Sequence, residues 1–156
     1  MYRKILVAID ESELSQQAFK QGLYLAQAFD AELQLLNVIS PLEAEYQNTV
    51  SLIGTGYYSQ ATNEAAEAEW QLRVENQLEY LQALVDQARD AGVAVDLIQE
   101  IGQPEQQICA TAQEWAADLI VIGSHGRKGL QELVVGSVSN YVSHHVPCAV
   151  LLVHQK

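Results

Sequence analysis

Five short apolar segments alternate with helical patterns along this chain of 156 residues, and this alternation limits the fold more than any other feature of the sequence. Short apolar runs of this kind indicate strands that are buried on both faces, as in a parallel sheet covered by helices. The segments are residues 5–9, 33–39, 93–101, 119–122 and 149–153, and the third is expected to be more exposed because Asp96, Gln99 and Glu100 interrupt it. We therefore predict an α/β fold with a single domain over residues 1–156: an open five-stranded parallel sheet in the order 3-2-1-4-5, with helices on both faces.

The intervals between these segments carry helix signals. Ser12 is a common N-cap residue type and opens a pattern whose apolar side chains share one face. An apolar stripe over residues 74–88 predicts a long amphipathic helix that ends before Gly92. Pro104 suits the first turn of a third helix, and residues 137–145 are predicted to form a fourth.

The segment 40–63 interrupts this alternation and is predicted to be a long loop insertion. Residues 47–63 carry no charge and are rich in Ser, Thr, Gly, Asn, Gln and Tyr. A loop of this length inside a compact domain is usually functional or mobile, and a surface insertion without a special role is an equally good interpretation.

The charge of the chain excludes several classes of partner. There are 8 Lys+Arg and 20 Asp+Glu, which give a formal net charge of −12. Nucleic acids and anionic membranes are bound by clusters of basic side chains, so neither is expected as a partner. All but one of the 20 acidic residues precede Leu119, so the last part of the chain remains suited to a phosphorylated ligand held by backbone amides.

The sequence contains no apolar stretch that predicts a membrane segment or a secretion signal. The longest, residues 146–153, is much shorter than the roughly 20 residues that cross a bilayer, and the N-terminal run breaks at Asp10. Cys109 and Cys148 lack the spacing of a metal site or of a disulfide framework. We expect a soluble cytoplasmic domain with two reduced thiols.

Polar residues and glycines follow three of the predicted strands. Asp10 follows the first strand, residues 38–40 end the second, and residues 123–126 follow the fourth. In an open parallel sheet, ligands bind beyond the carboxyl ends of the strands, where the strand order reverses, so these three segments are expected to meet. Asp10 is then a candidate ligand-binding residue, although it competes with Ser12 as the N-cap of the first helix.

The glycine-rich segment after the fourth strand is the most specific motif in the chain. It reads GSHG over residues 123–126, continues for nine residues, and ends with Gly136 and Ser137 at the start of a helix. Glycines expose successive backbone N–H groups to an anion, and the hydroxyl groups of Ser137 and Ser139 lie in a first helical turn, where the helix dipole favours negative charge. The pattern fits a di- or triphosphate. A loop that only requires tight turns is the alternative, and the P-loop and dinucleotide fingerprints are absent.

With its flanking sequence, this motif resembles the ATP-binding signature of the universal stress protein family. The similarity extends over nearly the whole chain: VAIDES, LLNVIS, GQPEQQI, ADLIVIGSHGRKGL and GSVSNYVSHHVPCAVLLV. The resemblance implies a fold like that of the adenine nucleotide alpha hydrolases. It also implies ATP, ADP or AMP as the ligand, Mg²⁺ bound through the phosphates, and a homodimer formed through the last strand, Ala149–Val153.

The resemblance also gives roles to individual positions. Asp10 would contact the ribose or the bound metal, and main-chain groups of Ala8, Ile9 and Val38 would lie beside the adenine. The first part of the phosphate loop would be Ile122, Gly123, His125 and Gly126, and the second part Gly136, Ser137, Val138 and Ser139. Ser124, within the first part, and Arg127, which follows it, are further candidate nucleotide-binding residues.

Two acidic residues depart from the family pattern. Glu11 stands where glycine is common, and Glu132 stands where Arg or Lys is common. A carboxylate that faced the phosphates would repel them, whereas one that points to solvent would have little effect.

These observations predict a stress-response and signalling module that binds an adenine nucleotide and at most hydrolyses ATP slowly, rather than an enzyme. The sequence contains no evident pair of nucleophile and general base. An enzyme of the adenine nucleotide alpha hydrolase type is one alternative, but it would need a Gly/Ser-rich turn after the first strand, where this chain has Asp10-Glu11-Ser12-Glu13. A nucleotide-free interaction protein is the other.

Overall fold

The computed structural model describes residues 1–39, 60–125 and 136–154, without the side chains of residues 60–67, 69 and 70. Its strands are β1 (Lys4–Ile9), β2 (Glu32–Ile39), β3 (Val95–Ile101), β4 (Leu119–Gly123) and β5 (Ala149–Val153). The helices in these ranges are α1 (Glu13–Phe29), α2 (Gln60–Asp90), α3 (Pro104–Glu114) and α4 (Ser137–His145). Strands and helices alternate along the chain, as the sequence predicts.

The five strands form one parallel sheet in the order β3-β2-β1-β4-β5, which confirms the predicted topology. From the central strand β1, the chain first extends the sheet through β2 and β3, and it then crosses to the other side of β1 to add β4 and β5. The strand order therefore reverses between β1 and β4.

Alternate side chains of the sheet form two core layers. Ile5 and Val7 of β1 belong to the layer that also contains buried residues of α1 and α2. Leu6 and Ala8 belong to the opposite layer, which contains buried residues of α3 and α4. Because neighbouring residues of a strand point to opposite faces and both faces are covered, residues 5–9 of β1 are all apolar.

Helix α1 lies very close to β1. Its N-cap is Ser12, whose side-chain oxygen accepts a hydrogen bond from the backbone N–H of Ser15. On its inner face, a Cβ atom at Gly22 would lie 2.5 Å from Cγ2 of Val7, so the observed distance between helix and strand requires glycine. The first turn of α1 is thereby held at the carboxyl ends of the strands.

The predicted boundary between the loop and α2 is wrong. The helix begins at Gln60, so residues 60–63 of the predicted 40–63 loop are helical. Gln, Ala and Glu in this region favour a helix, but they carry no apolar periodicity that would mark its start. Leu78, which belongs to the predicted apolar stripe over residues 74–88, is 46% exposed, whereas Leu81 and Leu84 are buried. Residues 40–59 lie outside the described part of the chain.

Two further features bear on the expected class of protein. None of the helices in the described ranges combines the length and the apolar character needed to cross a bilayer. Cys109 and Cys148 are free thiols, and burial raises the pKa of each above its ordinary value.

Candidate functional site

The candidate site is the opening between β1 and β4 at the carboxyl edge of the sheet. The ladder between these strands covers only Ile5–Val7 and Leu119–Val121. Both strands continue beyond it, β1 to Ile9 and β4 to Gly123. This separation coincides with the reversal of strand order, which is where open α/β sheets bind ligands.

Asp10 lies at the end of β1, beside this opening. Its Oδ1 atom accepts hydrogen bonds from the backbone N–H of Ser12 at 2.8 Å and from the Ser12 hydroxyl. Its main-chain carbonyl accepts one from the Ser15 hydroxyl at 2.6 Å. Ser12, and not Asp10, is therefore the helix cap. The second carboxylate oxygen of Asp10 receives no hydrogen bond from the residues that the structure describes.

Three of the predicted adenine and loop residues share one face of the sheet. Ala8 and Ile122 belong to the core layer of α3 and α4, and Val38 packs against it. Ile9 points into the opposite layer, so only its main chain can take part in a site on this face. The structure thus brings Ala8, Val38 and Ile122 to the same end of the same face, at the ends of the three central strands.

The two parts of the glycine-rich segment meet in space. The carbonyl of Ser124 accepts hydrogen bonds from the backbone N–H of Gly136 at 2.6 Å and from the Ser139 hydroxyl at 2.8 Å. A Cβ atom at Gly136 would lie 2.9 Å from that carbonyl oxygen, so this approach requires glycine. The backbone N–H of Ser124 donates to the carbonyl of Val153 at 2.8 Å, which joins the same point to β5.

The serine residues of this segment have different surroundings. Ser124 and Ser139 are buried, at 1% and 2% exposure. The Ser139 hydroxyl donates to the carbonyls of Ser124 and Gly136, so it holds the segment together from inside the protein. Ser137, in the first turn of α4, is exposed. Of the two predicted hydroxyl donors, Ser137 is therefore the accessible one.

The remaining predicted residues are of two kinds. His125 is partly buried, and its Nδ1 atom is 3.0 Å from the Ser124 hydroxyl. Val138 is partly buried against the layer of α3 and α4. Gly126, Arg127 and Glu132 lie outside the described residues, and their predicted roles remain predictions.

Gly123 has a packing role that its motif does not reveal. A Cβ atom at this position would lie 2.9 Å from Cβ of Leu14, in the first turn of α1. The end of β4 is thus in contact with the helix that follows Asp10. This contact brings the segments after β1 and β4 together, as the sequence predicts.

Sequence reasoning missed three polar residues near the site. Ser15 holds the Asp10 carbonyl, and Asn37 donates from Nδ2 to the carbonyl of Ile9 at 2.9 Å. Tyr80 of α2 buries its hydroxyl near Ser15 without a well-formed hydrogen bond among the described residues. Burial raises the pKa of Tyr80, and the carboxylates of Asp10 and Glu11 act in the same direction. Of these three residues, only Asn37 could have been noticed in the sequence, because it is a polar residue inside an apolar strand.

The donor groups of the site fit a metal only in combination with phosphates. In the described ranges, no group of three or more His, Cys, Asp and Glu side chains is arranged to hold a metal ion. Mg²⁺ commonly takes one or two carboxylates and completes its coordination with phosphate oxygens and waters. Asp10 can supply the one carboxylate that such an arrangement needs.

The family model described as "Universal stress protein family" matches residues 1–154. Among curated proteins, the universal stress protein Sll1388 of Synechocystis sp. is 36% identical over 156 residues, which are 97% of this chain and 97% of the relative. The universal stress protein YxiE of Bacillus subtilis is 37% identical over 153 residues, which are 98% of this chain and 99% of the relative.

Solved structures have the same fold. The universal stress protein UspA from Lactobacillus plantarum has a TM-score of 0.74 at 23% identity, with 97% of each chain covered. A universal stress protein in complex with cAMP has a TM-score of 0.64 at 23% identity, covering 98% of this chain and 97% of its own. A family protein from Arabidopsis thaliana with AMP bound has a TM-score of 0.65 at 20% identity, covering 99% of this chain and 92% of its own. The family model matches this chain over almost its full length, and the solved structures of the family have the same fold. This chain therefore belongs to the universal stress protein family.

Proposed function

We propose that this protein binds an adenine nucleotide in the opening between β1 and β4 and acts as a cytoplasmic stress-response and signalling module. The observation that carries the proposal is the meeting of Gly136 with the carbonyl of Ser124, one residue beyond the Gly123 that contacts Leu14 of α1. It gathers the glycine-rich segment, the N-terminus of α4 and the Asp10 turn around one opening. Two structural neighbours in complex with cAMP and with AMP support the choice of an adenine nucleotide.

Each part of the ligand has a matching group in this arrangement. The second carboxylate oxygen of Asp10 accepts from the ribose hydroxyls or ligates Mg²⁺ carried by the phosphates. The main-chain groups of Ala8, Ile9 and Val38, at the ends of β1 and β2, lie beside the adenine. The phosphates meet the exposed hydroxyl of Ser137 and the backbone N–H groups at the start of α4, where the helix dipole favours anions. Gly126 and Arg127 are proposed to complete the phosphate loop.

Binding, with at most slow ATP hydrolysis, is the activity that these groups support best. Asp10 and bound Mg²⁺ could polarise a phosphate, but a second group is needed to activate the attacking water. The described site offers Ser12 and Ser15, whose hydroxyls are engaged with Asp10. The proposed role is therefore that of a sensor whose state depends on the bound nucleotide.

The test is the affinity of the purified protein for ATP, ADP and AMP, each with and without Mg²⁺, measured by isothermal titration calorimetry. Asp10→Asn keeps an oxygen that can accept from Ser12 but removes the charge. We expect it to weaken nucleotide binding by about tenfold, the effect of losing a hydrogen bond to a charged group. Asp96→Asn, on the exposed face of β3, is the matched control and is expected to leave the affinity unchanged. Absence of binding at millimolar nucleotide would overturn the proposal.

We also propose that β5 forms a homodimer with its counterpart in a second copy. The strand lies at one edge of the sheet, and Val150, Leu151 and Leu152 are only partly buried. The opposite edge strand, β3, carries the exposed acidic residues Asp96 and Glu100, which protect an edge from pairing. An apolar edge without such charges is favourable for pairing with a second copy.

A further inference from the structure

A chain of hydrogen bonds crosses three strands at the carboxyl edge of the sheet. Asn37 in β2 is the register partner of both Ile9 in β1 and Gln99 in β3. Its Nδ2 atom donates to the main-chain carbonyl of Ile9 at 2.9 Å, and its Oδ1 atom accepts from Nε2 of Gln99 at 3.0 Å. Asn37 is 2% exposed, so this amide is enclosed within the protein.

Burying the Asn37 amide costs free energy, and the need to fill space in the core does not explain why an amide stands at this position. A buried amide must find partners for both of its ends, whereas a leucine at the same position would fill the space without that requirement. The neighbouring positions Leu33, Leu35 and Leu36 show that leucine fits this strand. The Ile9 carbonyl can only accept a hydrogen bond, so the Asn37 amino group faces it, and Gln99 holds the other end of the amide by donating to Oδ1.

The carbonyl that Asn37 holds belongs to the peptide bond between Ile9 and Asp10. Three hydrogen bonds therefore hold Asp10. Asn37 binds the carbonyl of the preceding residue, Ser15 binds the main-chain carbonyl of Asp10, and Ser12 binds one carboxylate oxygen. The two serines belong to the start of α1, while Asn37 ties the same turn to the sheet. Together they leave only the second carboxylate oxygen for a ligand.

We propose that Asn37, oriented by Gln99, is a positioning residue that sets the Asp10 carboxylate for the ribose diol of a nucleotide. This inference rests on the function proposed above, since it concerns the same site. It predicts that Asn37 affects recognition of the ribose hydroxyls and not of the adenine or the phosphate.

The experiment compares AMP with 2′,3′-dideoxy-AMP, which lacks the diol, by calorimetry on the full chain. The wild type is expected to bind AMP more tightly. Asn37→Leu is expected to weaken AMP binding by about tenfold and to change binding of the dideoxy compound by less than about twofold, since only the hydrogen bonds to Asp10 are affected. In an Asp10→Asn background, the same substitution is expected to have no further effect on AMP, because both act through one group.

Gln34→Leu is the matched control. Gln34 is a buried amide in the same strand, away from the carboxyl edge, and its Oε1 atom has no hydrogen-bond partner among the described residues. Its replacement is expected to leave both affinities unchanged. If Asn37→Leu does not fold, Gln99→Leu provides the test, because it removes only the hydrogen bond from Gln99 to Oδ1 of Asn37. It is expected to reduce the preference for AMP over the dideoxy compound by less than Asn37→Leu does.

A second readout does not depend on ligand. The Ser12 N–H donates to Asp10, and its hydrogen exchange is expected to accelerate in Asn37→Leu but not in Gln34→Leu. A wild type that binds no nucleotide overturns the proposed function and, with it, the ligand role of Asn37. A wild type that binds AMP, with an Asn37→Leu variant that loses AMP and the dideoxy compound equally or loses neither, overturns this inference alone.

Discussion

Asp118 shows how one exposed side chain can join distant parts of this chain. Its Oδ2 atom accepts hydrogen bonds from the backbone N–H groups of Arg3 at 2.8 Å and Lys4 at 3.0 Å, at the start of β1. The Lys4 ammonium group donates to the carbonyl of Trp115 at 3.1 Å. Asp118 precedes β4, so these bonds fasten β1 to β4 at the amino edge, opposite the candidate site.

The hydrogen bonds to Asp118 predict a pH-dependent stability. The backbone N–H groups of Arg3 and Lys4 hold the pKa of this carboxyl below its ordinary value of 3.8. The folded state therefore loses its proton more readily than the unfolded state, and the stabilisation is present above the unfolded pKa and is lost as the pH falls through the folded pKa. We expect Asp118→Asn to lower the free energy of unfolding at pH 7 by about 1 kcal/mol or less, because the exposed site is screened by solvent.

Urea denaturation of Asp118→Asn and of the wild type at pH 7 and at pH 2 measures this effect. The difference between the two proteins should shrink at the lower pH, because protonation of Asp118 removes the charge that the two N–H groups stabilise. Glu114→Gln, an exposed position at the end of α3, is the control and should show no such difference. An equal difference at both pH values would mean that the charge of Asp118 is not involved.

The position of α1 is decided at the scale of whole elements by two glycines. Gly22 allows the helix to approach Val7 of β1, and Gly123 allows the end of β4 to approach Leu14. In the sequence, Gly22 is part of a helix pattern and Gly123 part of a predicted phosphate loop. Only the packed structure shows that both keep α1, and the Asp10 turn that precedes it, close to the sheet.

We expect Gly22→Ala to destabilise the protein. A Cβ atom would lie 2.5 Å from Cγ2 of Val7, and overpacking of this kind costs about 1–3 kcal/mol, although alanine favours a helix over glycine by about 1 kcal/mol. The net loss should be at most about 2 kcal/mol by chemical denaturation. The double variant Gly22→Ala/Val7→Ala should be less destabilised than the sum of the two single variants, because Val7→Ala removes the overlap.

Gly92 supplies the contrasting control for this prediction. It has a φ of 78°, and a Cβ atom added to it would meet no atom of the described residues within 4 Å, so Gly92→Ala is strained by its backbone and not by a neighbour. The loss of stability in Gly92→Ala should therefore not be relieved when Val7→Ala is added. A Gly22→Ala variant that is as stable as the wild type would show that α1 can move away from β1 at little cost.

The whole molecule has one edge that is suited to assembly. The carbonyl of Val153 accepts from Ser124, and the N–H of Ala149 donates to Asp118, so alternate residues of β5 point their main-chain groups towards β4. The N–H groups of Val150 and Leu152 consequently face away from β4, towards the open edge. These are the groups that the proposed homodimer would use.

Proline at adjacent positions of β5 tests the homodimer. Val150→Pro removes an N–H that faces the open edge, and we expect it to convert a dimer to a monomer, as size-exclusion chromatography with light scattering would show. Leu151→Pro removes an N–H that faces β4, and we expect it to lower the free energy of unfolding by about 1–3 kcal/mol. A monomeric wild type, or a Val150→Pro variant that remains dimeric, would contradict an assembly through this edge.

Much of the architecture could be predicted because local sequence carries it. The continuous apolar run at Ile5–Ile9 identifies a strand covered on both faces, and Gly136 with Ser137 identifies the start of a helix. The start of α2 could not be predicted, since residues 60–63 include the poor helix formers Thr62 and Asn63 and carry no apolar periodicity. The role of Ser139 was also hidden, because its hydroxyl is bound to a carbonyl 15 residues away along the chain.

By itself, the sequence determined the fold class, the strand order and the family, together with the segments that meet at the carboxyl edge. The fold follows from the order of apolar runs, turns and glycines along the chain, and the family follows from the resemblance of its motifs. The tertiary structure alone decided that Asn37 links the carbonyl of Ile9 to the side chain of Gln99. The physical reason is that these contacts depend on strand register, which joins residues 28 and 62 positions apart and leaves no pattern in neighbouring residues.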